Sequence, residues 1–415
     1  MPSGRSVTTV IIGGGHSGLA MSGRLSDRGI DHVVLERGDV ASSWVDQRWE
    51  SFTLLTPNWQ TRLPGAGYEG DDPDGYMTGG AVAAFLQRYS AIVDAPLHAQ
   101  TTVLAVRSSS DGYDVVTDQG TWHCRSVVLA SGACNLPSVP AFADAVPDDV
   151  VAVNPLDYRR PDDLPEGGVL VVGAAATGIQ LADEIHASGR PVTVSVGEHV
   201  RMPRTYRGRD IQHWMEAIGR LDERWDEVPE LLKARGVASP QLIGTPQRRT
   251  LDLNALTDAG VRLCGRIGAI RDGVSLFSGG LRNTCALADQ KLARLLEEID
   301  EWVQTHDDAD ALDAPVRSEP TRVPPNTPLT IDLRSGEIKT VVWATGFRPD
   351  FSWVELPVFD GAGRLRHDGG VVDAPGVYFL GGTFLRRRRS SFIHGAEADT
   401  AELADHLTRH LAEAG

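Results

Sequence analysis

Short β-branched runs that break into small residues and then into alanine-rich stretches set the rhythm of this chain. Residues Thr8–Ile12 are all Thr, Val or Ile and end in Gly13-Gly14-Gly15-His16-Ser17-Gly18. That pattern predicts a buried strand, a tight turn and a helix over Gly15–Arg28. His32–Leu35 predicts the second strand, ending at Glu36. The same order returns 160 residues later. There Val169–Val172 runs into Gly173-Ala174-Ala175-Ala176-Thr177-Gly178, with a helix predicted over Thr177–Ala187 and a strand over Val192–Val196. Each unit is a strand–turn–helix of the kind that seats a pyrophosphate on a helix N-terminus. Two of them imply two dinucleotides, and the usual reason to hold two is to pass a hydride between them.

Between and beyond these units the pattern is more varied. Apolar and alternating stretches at Thr102–Val106, Tyr113–Thr117 and Ser126–Ala130 predict a meander that returns to the first sheet and ends in Leu129-Ala130-Ser131-Gly132. Pro- and Asp-rich residues from Pro137 to Pro165 predict a linker. Arg207–Arg249 is irregular and predicts helical insertions or a lid. Leu287, Leu292, Leu295, Leu296, Ile299 and Trp302 recur at helical spacing and predict an amphipathic helix over Leu287–Val303. Strand signals follow at Pro328–Leu333, Thr340–Trp343 and Val377–Leu380, then a helix over Gly395–Ala414. This last part has no glycine turn of its own, so it is expected to complete the first domain. The predicted fold is α/β, with two dinucleotide-binding Rossmann-like domains and the first one discontinuous. Expected boundaries are 1–150 and 331–415 for the first domain and 151–330 for the second.

Composition narrows the partners. The 415 residues carry a net charge of −16, which leaves no basic face for nucleic acid. No apolar stretch approaches the roughly 20 residues that cross a bilayer. The start, Met1-Pro2-Ser3-Gly4-Arg5, leaves no room for a signal peptide before the first strand, so a cytoplasmic protein is expected. Cys124, Cys134, Cys264 and Cys285 form no Cys-x-x-Cys pair, which argues against a redox-active dithiol. Nothing in the spacing of His, Cys, Asp and Glu marks a metal site. A monomer and a homodimer are both compatible with the C-terminal helix.

The two units differ at the tip of their second strand. Glu36 ends that strand in the first unit, where a carboxylate suits free ribose hydroxyls, as in FAD or NAD, and repels a 2′-phosphate. The corresponding strand of the second unit ends Ser195-Val196-Gly197 without an acid at its tip, and Arg201, Arg204 and Arg207 come next. Guanidinium groups bind phosphate in bidentate fashion, so Arg201 and Arg204 are expected to select NADPH over NADH.

At this point the residues match a known pattern. The chain resembles the class B flavin-dependent monooxygenases, which include flavin-containing, N-hydroxylating and Baeyer–Villiger enzymes. Within that group it is most similar to bacterial flavoproteins often labelled as potassium-transport flavoproteins. Gly13, Gly15, His16, Ser17 and Gly18 with Glu36-Arg37 resemble the FAD fingerprint. Ser43-Trp44 with Arg48-Trp49-Glu50-Ser51 and Thr56-Pro57 is similar to a block that these proteins place near the flavin ring. Gly173, Ala175, Ala176, Thr177 and Gly178, followed by Gln180, match the NADPH turn. Ala344-Thr345-Gly346 resembles the group's Ala-Thr-Gly segment, and Gly381-Gly382 through Phe384 and Arg386–Ser391 its final flavin-contacting stretch. Val103, Ala130, Gly132, Thr345, Gly346, Gly382 and Phe384 complete the expected cofactor-binding set.

The resemblance implies FAD and NADPH as cofactors, and molecular oxygen and a small organic molecule as substrates. It implies a flavin reduced by NADPH that forms a C4a-peroxyflavin with O₂ and oxidises a nitrogen, a sulfur or a carbonyl group. The tool is then the cofactor, and no acid–base triad is expected. Trp49 and Asn154 are the candidate catalytic residues; Trp44, Trp49, Trp59, Tyr206, His213 and Trp214 are candidates to face substrate. Arg386–Arg389 is either a solvated run or a source of positive charge near reduced flavin. One feature departs from the group. Its linker fingerprint, Phe-x-Gly-x-x-x-His-x-x-x-Trp/Tyr, is matched only by Asn154-Pro155-Leu156-Asp157-Tyr158, with Asn154 in the histidine's place. The alternative is therefore an NADPH-dependent flavoprotein reductase or oxidase that oxygenates nothing.

Overall fold

The chain builds two sheets, one wholly parallel and one parallel except at the edge His367–Asp368 and Val371–Val372, each sandwiched between helices and a smaller β-layer. A computed structural model describes residues 4–306 and 312–413. Met1–Ser3 and the expected helix end at Ala414 lie outside the described residues.

Strand Thr9–Ile12 lies inside the first sheet and is buried along its whole length, as a continuous β-branched run requires. It pairs in parallel with Ser126–Leu129 on one side and His32–Leu35 on the other. The sheet continues through Leu97–His98 at one edge, and through Val377–Phe379, Val371–Val372 and His367–Asp368 at the other. The last three come from the C-terminal part, so the first domain is discontinuous. Met21 and Leu25 of helix His16–Ser26 meet Leu403, Ala404 and Leu407 of helix Ala396–Glu413 over one face, around Ile11, Val34 and Val128. The other face carries Tyr113, Val115 and Trp122 of the meander. That meander includes a strand over Gly120–Cys124 that the pattern did not predict.

The second sheet runs Val151–Val153, Ile338–Trp343, Gly168–Val172, Val192–Val196 and Arg262–Gly265, all parallel. Helices Ala176–Ala187 and Leu253–Ala259 cover one face, where Ile179, Leu181, Ala182 and Ile185 meet Leu253 and Leu256. A three-stranded antiparallel layer of Ile267–Arg271, Val274–Phe277 and Thr330–Asp332 covers the other. Two expectations change here. The Pro137–Pro165 passage is not only linker, since it contributes the edge strand Val151–Val153. The return to the first domain also comes later than residue 331, because Ile338–Trp343 is buried beside Gly168–Val172.

The chain crosses between the two domains twice, and the crossings lie side by side. Leu136–Pro137 pairs antiparallel with Phe347–Arg348. Thr345 Oγ1 donates to the Ser138 carbonyl at 2.6 Å, and Ser138 N donates to the Gly346 carbonyl at 2.9 Å.

Residues 207–249 include short helices, among them Ile211–Ala217 and Leu231–Arg235, joined by turns and loops. Helix Leu281–Gln304 is longer than predicted and buries Leu292, Leu296 and Ile299, while Leu287 on its far side is 58% exposed.

Candidate functional site

Both glycine turns are built to the same plan. Gly13 and Gly173 adopt φ of +114° and +117°, a region that favours glycine. A Cβ on Gly13 would lie 2.4 Å from the Ala130 carbonyl oxygen, and one on Gly173 would lie 2.2 Å from that of Ala344. Gly18 and Gly178 close each turn: their Cβ atoms would fall 1.9 and 2.0 Å from the carbonyl oxygens of Gly13 and Gly173. Each helix then begins after an extended residue, Gly15 or Ala175, and no side chain caps either one. Amide N–H groups of the first turns are left facing outward, the arrangement that receives an anion.

The first turn carries further signs of a ligand. His16 Nε2, Ser17 Oγ and Ser131 Oγ are buried there without a hydrogen-bond partner among the described residues. Buried polar atoms are normally paired, so three orphans around one turn fit a phosphate-bearing cofactor that would pair them. A Cβ on Gly15 would meet nothing within 4 Å, which leaves open space along the backbone. Gly381 brings the post-strand segment beside Ser17, with its Cβ position 3.0 Å from Ser17 Oγ. Glu36 sits at the strand tip and accepts from Gly14 N at 2.7 Å and Gly38 N at 3.2 Å. Thr101 N donates to the Glu36 carbonyl, which brings the start of the meander, with half-buried Val103, to the same end. Arg37 is exposed beside it.

Trp44 of the Ser43–Arg48 block packs against the cluster that holds Leu19 and Ala20 of the helix after this turn. Arg48 stacks on Trp44 and Phe52 at 5.5 and 5.6 Å, and its guanidinium faces Cys134, just beyond Gly132. Burial pushes the Cys134 thiol up, as it does Cys285, to about 11, and Cys124 and Cys264, to about 12. All four cysteines are free thiols, and none is activated.

Several expected roles are corrected by the geometry. Arg201 and Arg204 are not free to select a nucleotide. Arg201 is 5% exposed and donates to Asp252 at 2.7 and 3.0 Å, to Asp289 at 2.8 Å and to the Glu319 carbonyl at 2.6 Å. Arg204 is fully buried between Asp210 and the Leu55 carbonyl, and Arg207 is held by Asp300. Trp49 is a packing residue: its ring meets Phe52 edge-on at 5.1 Å within the second domain's core. Asn154 organises its own turn, accepting from Leu156 N at 2.9 Å and donating to Asp157. Tyr206 and Trp214 are buried in the insertion, where Trp214 Nε1 donates to the Tyr206 carbonyl. Thr345 and Gly346 stand at the end of a second-sheet strand, so Ala344 backs the second turn as Ala130 backs the first.

The arginine run is not a solvated loop, because each of its guanidinium groups is ion-paired. Arg386 and Arg387 bind Glu402, and Arg387 also binds Asp399. Arg388 binds Glu223 and stacks on Phe384 at 4.7 Å, while Arg389 binds Asp222 at 2.6 Å. Because Asp222 and Glu223 belong to the insertion and Asp399 and Glu402 to the last helix, the run clamps one to the other. Gly382 and Phe384 lie at the base of that clamp. Its partners are far apart in sequence, so only the run itself was visible there.

His394, just ahead of the last helix, and His16 form part of one electrostatic neighbourhood with Arg62, Arg389 and Glu216. Burial lowers His16 to about 4 and His394 to about 3, the nearby arginines adding to the effect at His394. Both imidazoles are therefore neutral at neutral pH, whereas an unfolded chain protonates them near their ordinary value of about 6.5. Below that value the unfolded state binds more protons, so stability falls as the pH drops from about 6.5 toward 4. His16→Asn with His394→Asn is expected to flatten this acid limb of a plot of Tm against pH. An unchanged limb would show that the two rings are not responsible.

Two cradles of one design, each at the C-terminal ends of parallel strands, define an oxidoreductase that holds two dinucleotides. Comparison with known proteins agrees. The model of the pyridine nucleotide-disulphide oxidoreductase family matches residues 10–242, and the chain belongs to that family. A protein of Geobacillus kaustophilus described as an uncharacterized oxidoreductase CzcO-like is 27% identical over 97% of this chain and 99% of its own length. Indole-3-pyruvate monooxygenase YUCCA6 of Arabidopsis thaliana is 31% identical over 48% of this chain and 50% of its own. The fold is that of a flavin-containing monooxygenase from Stenotrophomonas maltophilia, with a TM-score of 0.67 at 18% identity over 98% of this chain and 99% of that one.

Proposed function

We propose that the protein is an FAD- and NADPH-dependent monooxygenase that oxygenates a small organic substrate at nitrogen, sulfur or a carbonyl group. The observation that carries this reading is the pair of equivalent cradles, with their glycines pressed against Ala130 and Ala344, in a chain whose four thiols are unpaired and unactivated. The first would hold FAD, through the open face of Gly15, the N–H groups after it, Ser17, and Glu36 at the ribose. The second would hold NADPH over Gly173–Gly178. When bound, the flavin would supply hydride acceptance and oxygen activation. The chain's own part is to orient both dinucleotides and keep the neutral imidazoles of His16 and His394 from acting as stray acids. No helix among the described residues is long and apolar enough to cross a membrane, and none of their side-chain clusters is suited to a metal ion.

A second reading, an NADPH oxidase or reductase without oxygenation, is favoured by one observation: Asn154 stands in the fingerprint position with its side chain tied into a local turn. The two readings separate in one experiment. The protein is reduced anaerobically with NADPH and exposed to O₂ together with panels of amines, sulfides and ketones, and hydrogen peroxide is compared with NADPH consumed. A monooxygenase releases less peroxide than the NADPH it consumes and yields an oxygenated product. Stoichiometric peroxide with every panel member overturns oxygenation and leaves the oxidase reading. Failure of NADPH to reduce the flavin overturns both.

A further inference from the structure

With Arg201, Arg204 and Arg207 held by carboxylates, the second cradle needs another group to tell NADPH from NADH. The register of the two sheets shows where to look. In the first sheet Ile12 lies opposite Leu35, and Glu36 comes next. In the second, Val172 lies opposite Ser195, and Val196 comes next, fully buried. The position that offers a carboxylate to ribose hydroxyls in the first domain is thus an interior valine in the second. Gly197 follows where the first domain has Arg37, so that position carries no side chain.

The neighbouring strand supplies what the tip lacks. Val196 is opposite Gly265, which sets Gly197 beside Arg266. A Cβ on Gly197 would lie 3.9 Å from both Cγ and Cδ of Arg266, so the arginine stem lies along the space that glycine leaves open. Arg266 is exposed, and its guanidinium has no hydrogen-bond or ion-pair partner among the described residues. Its backbone is nonetheless held from three sides. Ser195 Oγ donates to the Gly265 carbonyl and accepts from Ile267 N, both at 3.0 Å, and Ser278 N donates to the Arg266 carbonyl at 2.9 Å. His199 Nδ1 meets the Gly197 carbonyl at 3.0 Å and steadies the opposite lip. Arg248 and Arg249, further along the chain, are paired with Asp74 and Asp183. Glu198 is exposed at the same tip and opposes a phosphate there, so discrimination needs a cation close by.

We propose that Arg266 is the specificity-determining residue of the second cradle and that its guanidinium binds the 2′-phosphate of NADPH beside Gly197. This rests on the assignment of a nicotinamide dinucleotide to that cradle. A planar fork on a fixed backbone suits a phosphate dianion, and an unpaired guanidinium has no internal bond to break before it binds.

The test is calorimetric titration of the purified flavoprotein with adenosine 2′,5′-bisphosphate and with 5′-AMP, in the wild type, Arg266→Ala and Arg266→Gln. Loss of charge-assisted hydrogen bonds is expected to weaken the bisphosphate about 10- to 100-fold in both variants. Binding of 5′-AMP is expected to stay unchanged, because the adenosine and its 5′-phosphate lie over the glycine turn. The KM for NADPH should rise accordingly, with that for NADH and both kcat values preserved. If the wild type prefers the bisphosphate and both variants keep that preference, Arg266 is the wrong residue while the NADPH assignment stands. If the wild type binds the two probes equally, the NADPH assignment fails and the role of Arg266 with it.

Discussion

Gly15→Val is expected to yield a folded protein that purifies colourless and stays so after incubation with excess FAD. The reason is a contrast within one turn. A Cβ on Gly18 would sit 1.9 Å from the Gly13 carbonyl oxygen, so even Gly18→Ala breaks the turn and the fold around it. A Cβ on Gly15 meets no protein atom within 4 Å, and its φ of −83° is open to any residue. The valine therefore costs the protein little and instead occupies the space through which the backbone reaches a pyrophosphate, a contact whose loss should weaken FAD by about 100-fold or more. Flavin absorbance measures retention, while circular dichroism and thermal unfolding report the fold. A folded Gly15→Val protein that remains yellow would remove the first cradle from the FAD site.

Arg201→Ala should destabilise the second domain rather than change its choice of nucleotide. The guanidinium is ion-paired with Asp252, which is 6% exposed and whose other oxygen caps helix Leu253–Ala259 through Ala255 N at 2.9 Å. Removing one partner of a buried pair leaves an uncompensated charge and costs about 3–5 kcal/mol. In a domain of this size that lowers Tm by roughly 10 °C. The preference for NADPH over NADH, measured in whatever fraction remains folded, should be that of the wild type. A stable Arg201→Ala protein with a selective loss of NADPH affinity would overturn this account and restore the expectation drawn from the strand tip.

That reversal marks where the sequence stops being informative. Both cradles were legible because their cause is local: a β-branched run, glycines within six residues and an alanine-rich helix are contiguous. Strands His32–Leu35 and Val192–Val196 fall where their patterns put them. Gly120–Cys124 is hidden because Gly, Thr and His dilute its alternation, though Trp122 and Cys124 do point inward. Sheet membership is harder still. Ile338–Trp343 reads as a strand in any context, and only its parallel pairing with Gly168–Val172 assigns it to the second domain. The arginines are hardest, because their partners are distant: Arg201 reaches across 51 residues to Asp252 and 88 to Asp289. A charge in a loop looks free until the fold brings a carboxylate to it.

One echo in the sequence becomes clear only in the fold. Ala130-Ser131-Gly132 and Ala344-Thr345-Gly346 each follow a buried strand and end in glycine at φ of +90° and +97°. They are the matching back walls of the two turns, and the repetition of small residue, hydroxyl and glycine is the signal.

The double crossing between domains has a consequence for synthesis. A nascent chain completes every strand of the second sheet once Trp343 has emerged, but at that moment the first sheet still lacks Val371–Val372 and Val377–Phe379. The second domain can therefore assemble on the ribosome while the first still waits for the 72 residues that follow Trp343. A chain cut short before Val371 would leave a half-finished first sheet tethered to an intact neighbour, with the second glycine turn fully backed and the first sheet short of its outer strands.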